Sequence, residues 1–390
     1  MNANLWLLVV CQGLFFTNNV TFIAINGLVG LSLAPLGWMA TLPVMGYVVG
    51  GALSTGLVAQ TQKHYGRKTS FQIGMVVGVA SSLLCAWATY LGNFWLLVAA
   101  TVVAGYYNAN AQLYRFAAAE LAEPSAREKA VSMVMAGGLI GAIAGPNLAA
   151  ATRSMTAVPF AGAYLALAGV ALLGVLLLAM IQFPPPPPKT SAGGGRPLSE
   201  IARQPAFIVA ALAGALGYGV MNLLMAATPL AMQTCGLPFS DAALVLQWHV
   251  IGMFAPGFFT GHLIKRFGSM QVMGAGLLLN VACVLIAVSG VELHHFEIAL
   301  FLLGIGWNFL FTASTSLSLS TYRPEERDKA QGALNFCVFA VMAVSSFASG
   351  VLVTSQGWTW LNLGSLLPLG LTAAGLLWLG LQQGRSGRPA

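Results

Sequence analysis

Charge is what this sequence has least of. Asp, Glu, Lys and Arg make up 7% of its 390 residues, where an ordinary soluble domain carries about a quarter. None of its ten acids sits securely in the middle of an apolar run; Asp241 and Glu297 lie only at the ends of such runs. Cysteine is scarce as well. Cys11, Cys85, Cys235, Cys283 and Cys337 are odd in number and contain no C-x-x-C pair, so no disulfide framework follows from them. No nucleotide-binding loop, nucleophile elbow or metal-hydrolase motif occurs, so no enzyme activity is expected. The first apolar stretch has no charged segment before it and no small-residue cleavage site behind it, so it reads as a retained helix.

Apolar runs fill the space that charge leaves. The composition is 57% hydrophobic, and about 20 apolar residues are enough to cross a bilayer as a helix. Runs of that length fall near 5–30, 37–59, 71–91, 94–118, 129–152, 158–182, 206–231, 242–264, 270–290, 296–318, 331–353 and 359–381. The expected fold class is an all-α membrane protein of twelve transmembrane helices, with the lipid bilayer as its first partner. The net charge of +7 would suggest nucleic acid for a soluble chain, but here the positions of the charges say more than their sum. Apart from Arg115 inside a run and Arg153 in an odd-numbered loop, every Lys and Arg lies in an even-numbered loop or the C-terminal tail. The positive-inside rule then puts those loops and both termini in the cytoplasm, and no nucleic-acid partner is expected.

The chain also repeats itself. "KHYGRK" at 63–68 matches "KRFGSM" at 265–270, and "EPSAREKA" at 123–130 matches "RPEERDKA" at 323–330, pairing Pro124 with Pro324 and Arg127 with Arg327. The two offsets, 202 and 200 residues, agree on one duplication. Between the copies runs "FPPPPPKTSAGGGRPLSEIARQPA", where the Pro run bars helix and Gly and Ser favour flexibility. The expected organisation is therefore a six-helix bundle over 1–183, a cytoplasmic linker over 184–205 and a second six-helix bundle over 206–390.

Two six-helix halves joined by a long central loop resemble the major facilitator superfamily. Gly66, Arg67 and Lys68, and again Gly261, Arg266 and Gly268, match parts of that family's loop signature, with Lys63 and Lys265 where it has an acid. Gly141, Gly145 and Pro146 resemble its Gly-x-x-x-Gly-Pro motif, and small residues at that spacing let helices approach closely. The resemblance implies two pseudo-symmetric bundles, alternating access, and a central path lined by the first, fourth, seventh and tenth helices. Asn18, Asn19, Tyr106, Tyr107, Asn108, Asn110, Trp307 and Asn308 are then the expected cavity-lining set, facing inward because lipid cannot satisfy an amide. Whether they touch substrate or one another stays open. Arg115, near the basic end of its helix, is expected to snorkel to the interface.

One more pattern stands out. "MNLLM" places Met221 and Met225, and "HVIGM" places His249 and Met253, four residues apart and so on one helix face. At 1.5 Å per residue the two pairs overlap in depth, and soft thioethers with imidazole suit Cu(I). His249 is also the one deep group expected to titrate near neutral pH. The pair of motifs resembles the copper importers of the superfamily that feed assembly of cbb3-type cytochrome oxidase, the CcoA-like group. That resemblance implies a transporter importing copper across the bacterial inner membrane, with no resident cofactor and a cytoplasmic copper chaperone downstream. It makes Met221, Met225, His249 and Met253 metal ligands, with Cys235 and Met232 as a relay. The alternative expectation is transport of a small organic molecule, as a drug exporter or a riboflavin importer.

Overall fold

The computed structural model describes residues 3–123, 127–183, 195–323 and 326–386. The Pro run of the linker, Pro124 and Pro324 lie outside the described residues. Among those residues the only regular structure is helix. The first half comprises α1 (Ala3–Leu33), α2 (Leu42–Tyr90), α3 (Phe94–Ala111), α4 (Tyr114–Leu121), α5 (Arg127–Ala136), α6 (Gly138–Thr152) and α7 (Ala161–Met180). The second comprises α8 (Leu198–Ile201), α9 (Pro205–Thr234), α10 (Phe239–Phe254), α11 (Gly257–Phe267), α12 (Ser269–Ser289), α13 (Leu293–Leu319), α14 (Arg327–Ser355) and α15 (Gly357–Ser386).

Nine of the described helices are individually long and apolar enough to cross a membrane, and α10 with α11, bent by 42°, makes a tenth span. The 49 residues of α2 extend over roughly 74 Å, far more than the ~30 Å hydrocarbon core, so α2 is two spans. It divides at Gly66, whose φ of 79° is open to glycine and strained for other residues. The expected loop after residue 59 is thus helical on both sides of one left-handed residue. With α3 and α4 as one broken span, the total matches the twelve expected. Gly268, the repeat partner of Gly66, has a φ of 88° and likewise separates two helices, α11 and α12. The duplication seen in sequence therefore reproduces one backbone turn, since the two ψ values, 170° and 157°, also agree.

Proline and an amide together explain the bend between α10 and α11. Pro256 has no N–H to continue the helix, so the turn opens beneath it. Asn308 of α13 closes the gap: its Nδ2 donates to the Met253 carbonyl at 2.7 Å, and its Oδ1 lies 2.7 Å from the Thr260 hydroxyl. Elsewhere the helices meet through small residues. A Cβ on Gly105 would collide with the backbone of Gly50 and Gly51, and one on Gly141 with Phe16 and the Thr17 nitrogen, so α3 on α2 and α6 on α1 are backbone-close contacts.

On the basic face, Arg67 donates to Glu120 at 2.6 Å in the first half. The second half uses a different pair. Arg196, in the described C-terminal part of the linker, donates from Nε and Nη2 to the fully buried Glu326 carboxylate at 2.9 and 2.8 Å, and the backbone N–H groups of Arg196 and Arg323 add two more bonds. The guanidinium holds the Glu326 carboxyl well below the usual carboxylate range, with the Arg323 N–H adding to the effect. A depressed folded pKa contributes stability above the unfolded value, about 4.3, and loses it as pH falls toward the folded value. The wild type is expected to unfold at a higher temperature than Glu326→Gln in detergent at pH 7, with the gap closing below about pH 4. A gap that does not change with pH would contradict this assignment.

Candidate functional site

A cavity of about 190 Å³ lies between the halves. It is closed at the face opposite the basic loops. There the Thr41 hydroxyl donates to the Ser346 carbonyl at 2.7 Å and accepts from the Gly350 N–H at 3.0 Å. Asn147 donates to Gln247 at 2.9 Å. The Phe160 and Phe239 rings meet at 5.2 Å, with the Arg153 guanidinium over both, 5.4 and 5.6 Å away. Toward the basic face the cavity continues past Arg115, Phe116 and Phe311 into a second pocket reaching Ser318 and Tyr322, near the basic end of α13. The structure is therefore open on the basic side and shut on the other.

Both walls carry rings and amides, with Phe16, Tyr47 and Phe116 from the first half and Asn222 and Asn335 from the second, but in different proportion. The second half supplies the larger aromatic surface. Tyr218 on α9 meets Trp307 edge-on at 5.2 Å and Phe311 at 5.3 Å, and Trp307 stacks on Phe311 at 5.3 Å with a 9° interplanar angle. Phe254 bridges to Phe16 of the first half at 4.6 Å. The first half supplies polar atoms: Asn19, whose Nδ2 donates to the Tyr47 hydroxyl at 3.0 Å, together with Asn108, Gln112 and Arg115. No Asp or Glu lines the cavity among the described residues.

The expected lining set divides accordingly. Asn19, Asn108 and Trp307 line the cavity, and Asn18, Tyr106, Tyr107, Asn110 and Asn308 do not. Each of these five is engaged elsewhere. Asn18 donates to the Leu14 carbonyl at 3.4 Å, Tyr106 meets the Thr61 hydroxyl at 2.9 Å, and Asn110 accepts from Ser70 at 2.9 Å. Tyr107 packs edge-on against Phe15 at 5.5 Å, and Asn308 holds the α10–α11 bend. Arg115, expected to snorkel to the interface, lines the cavity instead.

The sulfur-bearing residues converge only in part. Met221, Met225 and Met253 all line the cavity, and His249 does not. His249 is fully buried, and its Nδ1 lies 2.7 Å from the Leu300 carbonyl. A carbonyl only accepts, so Nδ1 carries the proton and Nε2, buried without a partner, presents a lone pair. Met232 is fully buried in the packed core away from the cavity. Cys235 is exposed at the end of α9, where partial burial raises its thiol pKa and so disfavours the thiolate. Among the described residues one group of three His, Cys, Asp or Glu could share an ion, Glu292, His294 and His295, and it lies on the face opposite the basic loops.

Sequence reading missed Tyr218, Phe254, Phe311 and Asn222 as lining residues. The signal was present on α9: Tyr218, Met221, Asn222 and Met225 recur at i, i+3, i+4 and i+7, one face of the helix. The "MNLLM" face is thus an aromatic and thioether face, completed by Asn222, which donates to Ser345 and Ser346 of α14 at 2.9 and 2.8 Å.

A sequence model of the Major Facilitator Superfamily matches residues 5–255 and 210–390. The chain belongs to the major facilitator superfamily. It is a multi-pass membrane transporter of that type. Within the superfamily it is 39% identical over 362 residues to the riboflavin transporter RfnT of Brucella anthropi, covering 92% of this chain and 91% of that one. It is 28% identical over 348 residues to an uncharacterised transporter of the superfamily, YdeG, from Bacillus subtilis, covering 85% and 81%. In fold it is similar to a bacterial homologue of the human lysosomal transporter Spinster, solved inward-facing and occupied, with a TM-score of 0.75, 15% identity and coverage of 99% and 98%. At that identity the likeness speaks for the superfamily fold alone.

Proposed function

We propose that this transporter imports riboflavin or a closely related flavin across the bacterial inner membrane by alternating access, with its basic loops and both termini in the cytoplasm. The observation that carries the reading is the aromatic wall of Tyr218, Trp307 and Phe311 facing an amide-bearing wall across one cavity. A flavin has a broad planar ring system, which stacks favourably on aromatic faces, and polar edges and a ribityl chain that need hydrogen-bond partners. The 39% identity to a riboflavin transporter along nearly the whole chain supports the same reading.

Riboflavin-requiring bacteria expressing this chain are expected to grow on riboflavin concentrations that leave empty-vector cells starved. They are also expected to take up radiolabelled riboflavin in competition with unlabelled flavin. No uptake by well-expressed protein would overturn the proposal.

A second reading, copper import, rests on the three methionines lining the cavity and on the unpartnered Nε2 of His249. It is the weaker reading, because the imidazole is off the cavity wall while the 39% identical relative is a riboflavin transporter. Uptake of radioactive copper without uptake of riboflavin would reverse the order.

A further inference from the structure

The polar wall contains a group that a flavin's rings alone do not explain. Asn108, Gln112 and Arg115 follow one another at i, i+4 and i+7 along α3 and α4, and all three face the cavity. Gln112 and Asn108 make a long contact with each other, 3.4 Å. Arg115 has no such partner. No acid among the described residues pairs with it, its Nε is buried without a hydrogen-bond partner, and its guanidinium lies 5.0 Å over the Phe116 ring. It sits where the cavity joins its mouth, touching both pockets. A partly buried guanidinium whose Nε has no acceptor is costly unless something supplies one, and no carboxylate lines the cavity to do so.

We propose that Arg115 is the specificity-determining residue of the site, reading the acceptor edge of the flavin's pyrimidine ring through a forked pair of hydrogen bonds. That edge sets a ring nitrogen beside a carbonyl oxygen, the spacing that a planar guanidinium matches. The inference rests on the flavin reading above and adds to it a polarity. The site takes planar heteroaromatics that present adjacent acceptors, neutral or anionic, and turns away lipophilic cations, which meet a fixed positive charge and no carboxylate. It also gives the substrate an orientation, with the dione end toward Arg115 at the mouth and the ring plane on Trp307 and Phe311.

The experiment is riboflavin binding to the full-length protein in lipid nanodiscs, read by quenching of flavin fluorescence, for wild type, Arg115→Gln and Arg115→Lys. The Gln variant is expected to raise the Kd roughly tenfold or more with full quenching at saturation, and Lys to recover part of the loss. Because no hydrogen bond or ion pair within the protein is lost with Arg115, the ligand-free unfolding temperature is expected not to fall. A second ligand, 1-deazariboflavin, lacks the ring nitrogen of the acceptor pair. It is expected to bind wild type more weakly than riboflavin does, but Arg115→Gln equally well.

A Gln variant within twofold of wild type would overturn the proposal. So would a deaza penalty of equal size in both proteins, or a loss of binding accompanied by a lower unfolding temperature, which marks a packing role. Failure of the wild type itself to bind riboflavin would instead defeat the flavin reading, and this inference with it.

Discussion

Replacing Trp307 with Ala is expected to raise the half-saturating riboflavin concentration for uptake roughly 5- to 150-fold, because loss of one aromatic stacking partner is worth about 1–3 kcal/mol. Trp307 is the centre of the aromatic wall: it touches Tyr218 edge-on, stacks on Phe311 and reaches Phe254 at 6.5 Å. Trp307→Phe keeps a ring at the same place and is expected to recover most of the loss. Met221→Leu, Met225→Leu and Met253→Leu conserve volume, so each is expected to change riboflavin uptake by no more than about threefold. A transport site built on sulfur predicts the reverse, with little effect at Trp307 and severe loss at the three methionines. The five uptake curves therefore separate an aromatic site from a thioether one without reference to any relative.

Pinning the closed face is expected to abolish transport altogether. Phe160 and Phe239 belong to different halves, and their rings lie 5.2 Å apart. Cysteines at both positions, joined by a short bis-methanethiosulfonate that links them through two reducible disulfides, would hold the halves in the conformation seen here. Cys235 is exposed and four residues from Phe239, so the pair belongs in a Cys235→Ser background. Uptake is expected to stop on cross-linking and return on reduction. Continued uptake by fully cross-linked protein would mean that this face does not open during the cycle, contrary to alternating access.

The span order was legible in the sequence because apolar runs of the right length alternate with Gly, Pro and charge, and lipid leaves the backbone little choice but helix. The breaks inside spans were less so. Nothing local at Gln112 and Leu113 announces the gap between α3 and α4, and Gln60–Lys68 contains good helix formers, so the turn there shrinks to Gly66. At the site, the thioether face of α9 was legible from spacing, but spacing gives a face and not the neighbour it meets. Asn110 and Asn308 illustrate the limit. Both are inward amides, as the solvent argument requires, yet Ser70 and the Met253 carbonyl satisfy them before any substrate does. Whether a buried amide is free to bind depends on partners 40 or more residues away in sequence, which periodicity does not encode.

The closed face also lacks something. Among the described residues no ion pair joins the two halves there. The seal is made of a hydroxyl, two amides and aromatic rings, and the charge of Arg153 faces two rings rather than a carboxylate. Mobile ions screen exposed charge pairs within a Debye length, about 8 Å at physiological ionic strength, but have little purchase on contacts of this kind. Opening on that side is therefore expected to depend on salt less than it would through a gate held by ion pairs.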